Sequence, residues 1–151
     1  MEIEKKYLTE KIPFDITSYP KKEISQCYIS TKPTIRLRKS DDEYTLTVKG
    51  NGKIAREEFE LNISEEEYLR LKKKSETSDV IKTRYLVPIN NIYTAEVDIY
   101  HGISEGLITT EVEFNTIEEA ENFISPEWFG KDISLEPKYK NTFLALYGKP
   151  E

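Results

Sequence analysis

The chain has 151 residues, 37% of them hydrophobic and 33% charged, with a formal net charge of -6. This suits one charge-rich globular domain over residues 1–151, and the acidic balance argues against a nucleic-acid surface, which normally carries a basic field. No stretch reaches the roughly 18 apolar residues of a membrane span, no leader pattern opens the chain, and a lone cysteine, Cys27, permits neither an internal disulfide nor a cysteine metal site; a cytoplasmic protein is expected.

Alternation at period two predicts eight strands, over residues 2–8, 23–30, 33–39, 43–49, 54–62, 79–87, 92–100 and 107–114. In the first, Glu2, Glu4 and Lys6 share a face. In the second, Gln26, Tyr28 and Ser30 share one parity, and Cys27 falls on the other as a small core residue. The turns Ser40-Asp41-Asp42 and Gly50-Asn51-Gly52 join the third, fourth and fifth strands, and such short connections imply antiparallel neighbours. Ser64 with Glu67 is a capping box for a helix over 65–74, whose closing Lys72-Lys73-Lys74 run complements the helix dipole. Asn90-Asn91 and His101–Gly106 serve the later pairs, with His101 read as a surface-loop histidine. Thr116 with Glu119 is a second capping box, for a helix over 117–124. Trp128 and Phe129 follow Pro126 as packing residues, and a third helix covers Asn141–Tyr147. The fold class is therefore mainly β (α+β): a closed eight-stranded antiparallel barrel, with helices packed outside it.

Sorted by parity, the strands have two unlike faces. One is apolar, with Leu37, Leu46, Val48, Tyr85, Val87, Ala95, Val97, Val112 and Phe114 among its members. The other carries the acids Glu2, Glu4, Glu58, Glu60, Glu96, Asp98, Glu111 and Glu113, and the bases Lys6, Arg36, Arg38, Lys49, Arg56, Lys82 and Arg84. Charged residues are poor strand formers, and a solvated face would mix signs to avoid repulsion between neighbours. Here the signs are segregated into like pairs, and amphipathic helices need the apolar face to cover. A closed sheet then points its charges inward. Unpaired charges there would be ruinous, but a barrel of this size encloses one small ligand. Clustered Lys and Arg suit a polyanion, and clustered carboxylates suit a hard divalent cation.

The ordered series of motifs resembles the CYTH domain, or triphosphate tunnel metalloenzyme, family over nearly the full chain. Glu2-Ile3-Glu4-Lys5-Lys6 is similar to the family's ExExK, Gln26-Cys27-Tyr28 to its Gln-x-Tyr, and Arg36-Leu37-Arg38 to its RxR. Lys49, the Lys82/Arg84 pair, the Glu96/Asp98 and Glu111/Glu113 pairs, and Tyr139-Lys140-Asn141 with Leu144-Ala145 complete it. The resemblance implies a tunnel that hydrolyses inorganic triphosphate with Mg2+ or Mn2+, acting as a monomer or homodimer on a small-molecule substrate. Alternatives on the same fold are a class IV adenylyl cyclase and a thiamine or nucleoside triphosphatase; a non-catalytic polyphosphate-binding module is a third.

Under that resemblance Glu2, Glu4, Glu111 and Glu113 are the leading metal ligands. Glu58, Glu60, Glu96 and Asp98 hold a second metal, orient water or fix the basic residues. Lys6, Arg36, Arg38, Lys49, Lys82 and Arg84 grip phosphate oxygens; Arg56 joins them or remains a solvated strand end. Lys6, Tyr28, Lys82 and Glu113 are the catalytic candidates, with Tyr28 open to a plain packing role. Lys138 and Tyr139 are expected at one tunnel mouth.

Overall fold

The computed structural model describes residues 1–151. Ten strand segments form one antiparallel sheet: β1 (Glu2–Leu8), β2 (Lys21–Thr31), β3 (Thr34–Ser40), β4 (Glu43–Lys49), β5 (Ala55–Arg56), β6 (Glu58–Asn62), β7 (Val80–Ile89), β8 (Tyr93–His101), β9 (Ile108–Glu113) and β10 (Lys131–Asp132). Their order is β10-β1-β9-β8-β7-β2-β3-β4-β6, and β5 returns to β1. β5 and β6 are the single predicted strand 54–62, interrupted at Glu57. Its first half pairs Arg56 with Glu2, and its second pairs Glu58 with Lys49. The interruption closes the ring. Counting β5 and β6 together, eight strands make a nearly closed barrel, and the short β10 adds an outer pairing at Tyr7 and Leu8.

The break at Glu57 is held by the preceding loop. The Glu57 carbonyl accepts from the Gly50 amide at 2.8 Å. Gly52 passes with φ +131, where a Cβ would lie 2.2 Å from the Ala55 carbonyl oxygen, so only glycine fits. β7 runs two residues beyond its predicted end, through Pro88 to Ile89. A proline is tolerated near a strand end because one lost donor there breaks little of the ladder.

The apolar parity faces outward, so the main core lies outside the barrel. Val87, Ala95, Val97, Val112 and Phe114 pack with Ile3, Tyr7, Ala120 and Phe129. Phe129 is fully buried against the Tyr7 ring at 5.1 Å and the Trp128 ring at 4.7 Å. Cys27 and Leu37, both fully buried, are covered by Tyr68 of α1 (Glu65–Lys72). The α1 capping box is complete: Ser64 Oγ accepts from the Glu67 amide at 3.1 Å, and the Glu67 carboxylate accepts from the Ser64 amide at 2.9 Å. The expected box on α2 (Ile117–Asn122) is only half made. Thr116 accepts from the Glu119 amide, but the Glu119 carboxylate takes the Tyr93 hydroxyl instead, at 2.9 Å. α2 stops short of residue 124 because Phe123 turns inward against Tyr93, Phe114 and Phe129.

α3 (Asn141–Tyr147) sits at one end of the barrel. Its buried Leu144 and Ala145 pack on Tyr28, Val80 and Tyr100, all on the inward parity, and Asn141 Oδ1 accepts from the Tyr100 hydroxyl at 3.2 Å. No helix is long and apolar enough to cross a membrane.

Candidate active site

The inward-facing charges divide into two groups. In the first, β7 and β8 set Arg84 directly opposite Asp98. Arg84 grips Asp98 through Nε at 2.8 Å and Nη2 at 2.9 Å, and reaches Glu96 through Nη1 at 3.2 Å. Lys82 Nζ, fully buried, lies 2.8 Å from Asp98 Oδ2; the contact joins charges but is out of line for a hydrogen bond. The ammonium also sits 5.5 Å above the Tyr100 ring. Burial opposes the Asp98 charge, yet Arg84 and Lys82 hold it below the ordinary carboxylate range. Burial, with Arg84 and Arg38 nearby, lowers Lys82 to about 7 despite Asp98. Burial and the neighbouring Arg36 and Arg84 likewise bring Arg38 down to about 9. Arg38 Nε donates to Gln26 at 2.9 Å, and Gln26 donates to the Tyr28 hydroxyl at 3.0 Å.

The second group is only partly compensated: Lys49 and Lys6 reach Glu2, Glu58 and Glu111, but none of the ion pairs includes Glu4 or Glu113. Here the register sets Glu4 opposite Glu113 and Glu96 opposite Glu111, acid against acid. Ligand oxygens of Glu2, Glu4 and Glu113 all lie within 4.8 Å of one another. Burial, reinforced by Glu111 and Glu2, raises the Glu4 carboxyl well above its usual range; Glu113, exposed as a residue, is raised by the partial desolvation of its carboxyl and by Glu96, Glu2 and Glu111 around it. For Glu111, burial pulls upward but Lys6 and Arg84 win and lower it to about 2. Lys6 Nζ stands 3.9 Å from Glu111 and donates to the Tyr139 carbonyl at 2.5 Å. Lys49 bridges Glu2 at 2.8 Å and Glu58 at 3.5 Å.

A cavity of about 600 Å³ opens among these residues. Of the predicted site, it is lined by Glu4, Lys6, Tyr28, Arg36, Lys49, Arg56 and Glu111. Arg36 is buried, with Nη2 on Thr47 at 3.2 Å and on Glu60 at 3.7 Å, while its Nε has no partner. Arg56 is not a solvated strand end: it is half-buried and donates to the Gly50 carbonyl at 3.0 Å. Tyr28 both packs against α3 and reaches the cavity. Arg38, Lys82, Arg84, Glu96 and Asp98 are not on the cavity wall. Glu113 is exposed beside Glu4, and Glu60 is exposed within 3.7 Å of Arg36; neither lines the cavity.

Tyr139 lines the mouth as expected, but Lys138 is exposed and away from it, and Lys140 takes that place. Lys138 is the middle residue of the 3-10 turn Pro137–Tyr139, and Lys140 is the residue that ends it in extended backbone. Asn141, marked by the sequence only as part of the closing motif, lines the cavity too, as do Lys32 and Lys53, which the sequence did not mark. Lys32 and Lys53 sit in loops, where no period-two signal exists to mark a facing side chain. His101 is the last residue of β8 rather than a loop residue, and its Nε2 meets Thr83 Oγ1 at 2.8 Å on the outer face.

Residues 1–141 match the CYTH domain family. An inorganic triphosphatase from Nitrosomonas europaea is 35% identical over 150 residues, covering 96% of this chain and 97% of the relative. An inorganic triphosphatase from Acetivibrio thermocellus is 33% identical over 114 residues, covering 74% of this chain and 71% of the relative. The crystal structure of the inorganic triphosphatase NE1496 superposes with a TM-score of 0.72 at 32% identity, covering 99% of this chain and 100% of that one. With a nearly closed charged barrel, its motif residues facing inward, and these similarities, the chain belongs to the CYTH domain family.

Proposed function

We propose that this protein is a divalent-metal-dependent hydrolase that cleaves inorganic triphosphate to pyrophosphate and orthophosphate inside the barrel. The observation that carries the reading is the composition of one cavity wall. Arg36, buried with an unpaired Nε, lines it with Lys6, Lys49 and Arg56, and the carboxylates Glu4 and Glu111 line it too. A buried guanidinium with a free donor calls for an anion. The names of the two relatives support triphosphate as that anion.

The acidic side fits Mg2+ or Mn2+. Its donors are all oxygen, as hard cations prefer, and the crowding that raises Glu4 is relieved by a cation as well as by a proton. Glu2, Glu4 and Glu113 would hold the ion, with Glu111 beside them. When bound, it supplies positive charge to offset that on the phosphoryl oxygens.

The chain's own residues do the rest. Lys6, Arg36, Lys49 and Arg56 bind the phosphate oxygens and hold the terminal phosphorus in place. Arg38, Lys82 and Arg84 add positive field from behind the wall, and Asp98 with Glu96 keep that group in place rather than ligating metal. Tyr28 presents its hydroxyl to a phosphoryl oxygen. Water attacks the terminal phosphorus as the bridging P–O bond breaks, and pyrophosphate leaves with the bonding electrons. No protein nucleophile is needed; the rate comes from positioning and preorganised charge. The test is phosphate release from tripolyphosphate with Mg2+ or Mn2+, alongside product analysis with ATP. No release with either metal from folded protein overturns the reading, and cyclic AMP from ATP would replace it with a cyclase.

A further inference from the structure

We infer that Gln26 is a positioning residue that turns the Tyr28 hydroxyl proton toward the cavity; this rests on the triphosphatase reading above. Gln26 is fully buried and does not line the cavity, whereas Tyr28 does. Two contacts determine its orientation. Arg38 Nε is 2.9 Å from one end of the Gln26 amide, and the Tyr28 hydroxyl oxygen is 3.0 Å from the other.

The direction of the chain follows from donor chemistry alone. A guanidinium has N–H donors and no acceptor, so the amide atom facing Arg38 must be the carbonyl oxygen. The other end is then the NH2, which can only donate. The Tyr28 oxygen accepts from it, and its own hydrogen is forced away from Gln26. The hydroxyl makes no other hydrogen bond within the protein, and the free side of the residue belongs to the cavity wall. Arg38 thus sets Gln26, and Gln26 sets Tyr28 as a donor to whatever oxygen occupies the cavity. An unassisted phenol would rotate between donating and accepting; this one is prepared to donate. That saves reorientation during the reaction, which is the source of advantage in a preorganised site.

The experiment compares Gln26→Glu, Gln26→Leu and Tyr28→Phe, singly and combined, for kcat and KM on tripolyphosphate. Glutamate still accepts from Arg38 but has no N–H, so the Tyr28 hydroxyl turns back and donates to it. The expected result is a fall in kcat of about 10-fold, as for one lost transition-state hydrogen bond, with KM little changed. It should match Tyr28→Phe, and the double variant should be no slower than Tyr28→Phe alone. Gln26→Leu frees the hydroxyl to rotate and should lose less. Thermal melting establishes that each variant is folded; should Gln26→Glu not fold, the Gln26→Leu and Tyr28→Phe pair decides by the same rule. Wild-type kcat in the Gln26 variants, or losses that multiply in the double variant, overturns the inference. An inactive wild-type protein instead overturns the triphosphatase reading.

Discussion

Asp98 and Glu4 are both carboxylates on the inner face of the barrel, two strands apart, and their surroundings drive them in opposite directions. Asp98 meets a bidentate arginine and a lysine, and its charge is held. Glu4 meets Glu111 and Glu2, and its charge is disfavoured. The Asp98 cluster balances itself, so its worth is in holding the barrel together. In the Glu4 cluster Lys49 and Lys6 pair with Glu2 and Glu111 and leave Glu4 itself without an ion-pair partner, and the cavity opens beside it. A motif of inward charges therefore contains two kinds of residue that look alike in sequence, one that completes the fold and one that waits for ions.

The largest expected effect breaks the balanced cluster. Asp98→Asn leaves Lys82 buried without a counter-charge and Arg84 with Glu96 alone, and should cost about 3–5 kcal/mol in denaturant unfolding. A cost below about 1 kcal/mol would remove the contrast with Glu4. Glu4→Gln should do the reverse, leaving stability without added metal unchanged or slightly raised, because a repulsive charge is gone. Its kcat on tripolyphosphate with Mg2+ should fall by about 100-fold.

A pH titration of stability separates the two clusters further. The folded Asp98 carboxyl is lowered below its unfolded value of 3.8. Its contribution is therefore complete above pH 3.8 and is lost as pH falls through the folded value. Glu4 is raised above 4.5, so its contribution is complete below pH 4.5 and is lost as pH rises through the folded value. Melting temperature against pH should accordingly show an acid-side loss that disappears in Asp98→Asn and a loss on the rising side that disappears in Glu4→Gln. The smallest effect belongs to the mouth. Lys140 is lowered by burial and by the neighbouring Arg56 and Lys53, so no acid balances it. Lys140→Ala should leave stability within about 0.5 kcal/mol. It should raise KM about threefold at low salt, a difference that fades as salt screens the mouth.

Much of this was legible from alternation. The inward parity of Glu2, Glu4, Lys6, Arg36, Lys49, Lys82, Arg84, Asp98 and Glu111 follows from period two, because successive side chains on any strand point to opposite faces. The outer core was legible for the same reason, as were the three helices, whose signals lie within four residues of one another. The split of strand 54–62 was not, since Glu57 is an ordinary residue there. It is held out of the ladder by Gly50, a contact made only once the loop has folded. The exchange of Lys138 for Lys140 at the mouth, and the arrival of Lys32 and Lys53, were hidden because turns carry no periodicity.

The sequence by itself determined which residues face inward and which face outward, through local chain geometry. Only the tertiary structure decided which inward charges meet. Arg84 falls opposite Asp98 and Lys6 opposite Glu111, but Glu4 falls opposite Glu113 and Glu96 opposite Glu111. That choice is made by the register of strands distant in sequence. A shift of two residues would keep every side chain on its face and still pair different charges.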